Sequence, residues 1–110
     1  MTSGAYGEFG RDPVPFVRGV EAYYGGSYDE AIVALQQAGQ ALPKEADVFA
    51  YIGSALYRKF LLSRPADPDL RSRAEESFRR AIAAKPGYAL DERQFPPKVV
   101  AFFREVSARR

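Results

Sequence analysis

The side chains that could do chemistry in this chain are carboxylates, hydroxyls, tyrosines and arginines, because it holds neither histidine nor cysteine. Their absence removes the commonest general base, the thiol nucleophile, the usual zinc ligands and any disulfide. The serines have no histidine to activate them. The pairs Glu75–Glu76 and Asp91–Glu92 are adjacent in sequence, so on a helix they splay apart and are expected to be solvated. Asp67 and Asp69 flank Pro68, which is the pattern of a helix cap rather than of a metal loop. Neither a P-loop nor a G-x-G-x-x-G phosphate loop occurs. The expectation is a non-enzymatic protein with no cofactor and no metal. Any function then rests on surface, and the elements that shape that surface decide the reading.

Those elements belong to one small domain. The chain has 110 residues, 46% hydrophobic and 27% charged, with a net charge of +2. That composition suits a single globular unit with a modest core, and the charge is too small to argue for nucleic acid. Arg71, Arg73, Arg79, Arg80 and Lys85 fall in one segment but on no single stripe at 100° per residue, and Glu75 and Glu76 intervene. They read as a solvated face, not as a nucleic-acid patch. No stretch approaches the ~20 apolar residues of a membrane span. Residues 1–12 read as a flexible leader without the pattern of a signal peptide, which makes a cytoplasmic location the default expectation.

Between the Pro and Gly punctuation points the apolar residues recur at helical spacing, with no sustained alternation for a strand. The first helix is expected to follow Asp12 as N-cap with Pro13 at its first position, and to stop at Gly25. The second opens on "SYDE", where Ser27 and Glu30 have the spacing of a capping box, and runs to about Ala41 before Pro43. The third spans about Lys44 to Leu62. The fourth starts from Asp67 as cap with Pro68 at its first position and ends before Pro86–Gly87. The last runs from Pro96 to about Ala108, with Val99, Phe102, Phe103 and Val106 as an apolar stripe. The fold class is all-α.

The pattern repeats. Gly19 and Gly53 are 34 residues apart, as are Tyr23 and Tyr57. Ala31, Leu35, Ala38 and Pro43 are matched by Ala74, Phe78, Ala81 and Pro86, and Phe49, Ile52, Gly53 and Leu56 follow W-x2-L-G-x2-Y in kind. With this period and these residues the chain resembles the tetratricopeptide repeat family. The resemblance covers about Pro13 to Pro86, as units 13–43 and 44–86. It departs at Ala22, where the pattern has an aromatic. It also departs between Tyr57 and Ala74, where nine extra residues centred on "LLSRPADPD" are expected to lengthen both helices by about a turn. That insertion reads either as a partner contact or as a tolerated loop. Two hairpins bury too little alone, so segment 87–110 is expected to be a capping helix, with Phe95, Val99, Phe102, Phe103 and Val106 covering the fourth helix. Arg104, Arg109 and Arg110 would favour the end of its dipole.

The resemblance implies a helix–turn–helix solenoid whose first helices line a concave groove for a peptide or partner helix. On this chain the groove positions would be Phe16, Val20, Tyr23 and Tyr24 from the first helix, and Ala50, Ser54, Tyr57 and Arg58 from the third. Tyr and Arg at such positions suit binding hot spots, while Phe16, Val20 and Tyr23 read equally as core. The family's carboxylate clamp would fall on Asp47, Val17 and Tyr51, which lack its Lys and Asn, so an apolar or aromatic ligand fits better. The leading expectation is a protein–protein interaction module. The alternative is a self-associating assembly unit whose exposed apolar surface mediates homo-oligomerisation.

Overall fold

The computed structural model describes residues 14–109, which form five helices and no strand. They are α1 (Val14–Tyr24), α2 (Tyr28–Ala41), α3 (Ala46–Leu62), α4 (Pro68–Ala84) and α5 (Pro97–Ala108). The expected leader and the Asp12–Pro13 helix start lie outside the described residues. α1 pairs with α2 and α3 with α4, and α3 packs against each of the other four helices.

One contact builds both hairpins. A Cβ placed on Gly19 would fall 2.5 Å from Cγ of Leu35, so α1 and α2 approach at a point only glycine allows. The same construction on Gly53 falls 2.7 Å from the ring of Phe78, which closes α3 on α4. Ala31, Ala38, Ala74 and Ala81 are buried to 1% exposure or less, which is the clearance role their spacing suggests. Among the described residues no buried side-chain polar atom lacks a hydrogen-bond partner. Buried Ser77 is satisfied by its own helix, donating to the Arg73 carbonyl at 3.1 Å.

The hairpins end differently. Gly26 sits at φ +84°, donating to the Tyr23 carbonyl, while Ser27 donates to that of Ala22 at 2.9 Å. This pair of bonds is the Schellman closure of α1. It also overturns the expected capping box: Ser27 occupies the N-cap of α2, but its side chain makes no capping bond. The N–H that Glu30 would have accepted is already spent on Ala22. Asp67 does cap α4, accepting from the Asp69 N–H at 3.0 Å with Pro68 at the first position. α3 begins at Ala46 rather than near Lys44, because Glu45 N–H turns back to the Leu42 carbonyl.

The nine extra residues between Tyr57 and Ala74 lengthen both helices of the second hairpin. The equivalent of Tyr24, where α1 ends, is Arg58, and α3 continues four residues further to Leu62. α4 starts six residues before Ala74, whereas α2 starts three before Ala31. The connection between them lengthens by the remaining two. α5 then closes hairpin two. Phe102 and Phe103 lie 6.0 and 5.2 Å from Phe78, and Val99 and Val106 are fully buried. At its end Arg109 pairs with Glu75 at 3.2 Å and Arg104 with Glu92 at 2.5 Å. These arginines serve as ion-pair partners and not simply as charges on the dipole.

Candidate functional site

The face along α1 and α3 carries Phe16 and Tyr24 of the aromatic residues expected to line a groove, together with Tyr51. Phe16 is half-buried and meets Tyr51 edge-on at 6.1 Å, and Val20 is half-buried against the core. Val17 beside them is 50% exposed. Tyr23 is interior: it is 3% exposed, and its hydroxyl is hydrogen-bonded to Ser54, itself fully buried. Ala50 is buried too. Tyr23, Ser54 and Ala50 therefore join α1 to α3 and offer a partner no surface, which corrects their expected place in the groove. Inward rotation of Tyr23 follows from its position one turn after Gly19, on the face that must close on α2 and α3.

Tyr24 stays at the surface, 55% exposed, with its hydroxyl committed. It donates to the Gln94 carbonyl at 3.0 Å and lies 2.9 Å from the Tyr51 hydroxyl. Having one proton to give, it accepts from Tyr51. Burial, followed by this donated bond, pushes the Tyr51 phenol well above the ordinary tyrosine range. Tyr23 is raised as well, chiefly by burial, against partial lowering by Ser54 and Arg58. Tyr57 is turned away from the face: its ring stacks on Phe102 of α5 at 4.2 Å and 8°. Arg58 is half-buried, with its guanidinium 5.4 Å over the Tyr28 ring.

What lies across this face has no counterpart in the repeat pattern. Phe95 does not cover α4. It inserts between the hairpins, 4.9 Å from Tyr51 and 6.2 Å from Tyr23, at 4% exposure. Tyr88 donates to Oδ1 of Asp47 at 2.6 Å, and its phenol is raised by burial first and by that carboxylate second. Pro96, Pro97 and Lys98 share a cleft with Arg58, Leu61 and Leu62. Segment 88–98 thus runs along α3 from its first turn to its last. The side chains it meets, Asp47, Tyr51, Arg58 and Leu62, form one stripe at i, i+4, i+11 and i+15, and that spacing was the signal available in the sequence.

The carboxylates that drew attention as possible chemistry are structural. Glu75 holds Arg79 at 2.6 Å as well as Arg109, and Asp91 accepts from the Arg93 N–H at 2.8 Å. That backbone bond, with the Arg93 side chain second, lowers the Asp91 carboxyl. Glu75, Asp91 and Glu92 are thus ion-paired rather than simply solvated, while Glu76 is exposed as the sequence had suggested. Among the described residues no group of three or more acidic side chains is disposed to hold a metal, and no helix is long and apolar enough to cross a membrane. Comparison with protein-family models, curated proteins and solved structures returns no match.

Proposed function

We propose that this chain is a non-enzymatic protein-interaction module of two tetratricopeptide-like hairpins, whose concave face along α1 and α3 receives a peptide or partner helix. The observation that carries the reading is the repeated contact of Gly19 with Leu35 and of Gly53 with Phe78, with the glycines 34 residues apart. Repeats of this kind present their first helices on one side, and that side here exposes Val17 and the ring of Tyr24. Segment 88–98 occupies part of it and narrows the open surface to Val17 and Tyr24 on α1 and to the last turn of α3. The test is to pan a displayed random-peptide library against the purified protein. Enriched sequences with an apolar or aromatic consensus, and weaker binding to the Val17→Asp variant, are expected. No enrichment, or binders indifferent to that substitution, would overturn the reading.

Self-association is favoured by a different surface. The outer side of hairpin one exposes Val14 at 41% and Val33 at 60%, beside an open cleft of about 500 Å³ lined in part by Ala22, Val33 and Ala34. Repeat arrays bury such an end under a further layer. Light scattering separates the readings: a dimer abolished by Val33→Asp supports assembly, and a monomer at micromolar concentration supports the peptide-binding module.

A further inference from the structure

The cleft where α3 ends and α5 begins encloses about 460 Å³ between Leu61 and Leu62 on one side and Pro96 and Pro97 on the other. Leu62 is 67% exposed, the most open large apolar side chain among the described residues. Both leucines belong to the turn that the insertion adds to α3, and α1 has no counterpart to it. The extra turn therefore exposes hydrocarbon at a cost the fold itself does not require.

Two cations rim this hydrocarbon, Arg58 and Lys98. The ion pairs of the described residues commit Asp29 to Lys59, Glu92 to Arg104, and Glu105 to Arg71 and Arg109. None reaches Arg58 or Lys98. Lys98 stands in the first turn of α5, where the helix end is already positive and a cation is disfavoured unless an anion joins it. An exposed Leu62 with half-buried Leu61 beside it, next to two cations without carboxylate partners, one of them at a positive helix end, has a definite complement.

We infer that this cleft binds a protein segment carrying an apolar anchor of leucine size between acidic residues. The anchor covers Leu61, Leu62 and the proline rings, and the flanking carboxylates reach Lys98 and Arg58. Burial of the anchor supplies affinity, and the charges supply orientation and selectivity against basic sequences. The inference rests on the interaction-module reading and gives the partner its chemistry.

The test uses three fluorescein-labelled peptides of equal length: Leu-Leu flanked by glutamates, Ala-Ala flanked by glutamates, and Leu-Leu flanked by lysines. Anisotropy is expected to rise only with the first. Its affinity should fall about tenfold or more in Lys98→Glu and in Leu62→Asp, and should weaken with added salt. Both substitutions are at exposed positions, and unchanged thermal melting establishes that the variants are folded. Equal binding of the lysine-flanked or alanine-centred peptide, indifference to both substitutions, or no binding at all overturns the inference. If the glutamate-flanked peptide fails while panned peptides still bind and remain sensitive to Val17→Asp, only the partner chemistry is wrong. If neither binds, the module reading falls with it.

Discussion

In hairpin α1–α2 the glycine face meets a leucine, and the outer side, with Val14 and Val33 exposed, carries no further helix of the described residues. In hairpin α3–α4 the equivalent glycine meets Phe78, whose ring is held in turn by Phe102 and Phe103 of α5. One pattern of contact thus gives a loose hairpin and a clamped one. The clamped hairpin is also the one that the insertion lengthens, so the last turn of α3 projects from the hairpin that α5 packs against.

The packing of α1 and of segment 88–98 against α3 should break first, under alkali. Tyr23, Tyr51 and Tyr88 all have phenols raised above the ordinary 10.0, in each case chiefly by burial. Above pH 10 the unfolded chain releases these protons while the folded chain retains them, so stability falls as pH rises through the tyrosine range. Below that range they contribute no pH dependence. The expected result is a melting temperature that is flat from about pH 7 to 9 and drops steeply above about 10. Tyr51→Phe or Tyr88→Phe should make the drop shallower.

The two glycines sharpen the comparison itself. Gly53→Ala forces a methyl into the Phe78 ring, which Phe102 and Phe103 keep from yielding. After the gain in helix propensity is set against overpacking, the loss should be about 2 kcal/mol. Gly19→Ala meets the aliphatic side chain of Leu35, which can turn more easily than a ring held by two others, and about 1 kcal/mol or less is expected. Urea denaturation measures both, and a larger cost at Gly19 would contradict the clamped-versus-loose distinction. Adding Phe78→Leu to Gly53→Ala should recover part of the loss, because the smaller side chain makes room for the methyl.

Smallest are the caps. Asp67→Ala should cost about 1 kcal/mol, through loss of the bond to the Asp69 N–H. Ser27→Ala should cost only a few tenths (~0.3 kcal/mol), well below the usual loss at an N-cap, because its side chain makes no capping bond. Equal effects in a melting series would mean that the two α-hairpin entries are built alike.

Much of this was legible from residue types. Proline and aspartate punctuation located the helices, because Asp67–Pro68 and Pro43 act through local backbone chemistry that any context preserves. The 34-residue spacing of Gly19 and Gly53 was legible, while the side chains they meet, Leu35 and Phe78, came from the folded chain. The Ser27 cap failed because its N–H is claimed by a turn whose geometry depends on Gly26 at positive φ, a competition invisible in the S-x-x-E pattern. Tyr23 and Tyr24 are neighbours that ended up on opposite sides of a buried boundary, and periodicity places such a boundary only to within a residue. Segment 88–98 has no period at all, so its path along α3, with Phe95 wedged between the hairpins, came only from the folded chain.

The proposed partner surface is the face along α1 together with the extended last turn of α3. Backbone chemical-shift mapping during titration with a panned peptide tests it most directly. Perturbations clustered at Val17, Tyr24, Arg58, Leu62 and Lys98 are expected. Perturbations confined to Val14, Arg18, Val33 and Gln37 on the outer side of hairpin one, or to the exposed side of α4, would contradict it.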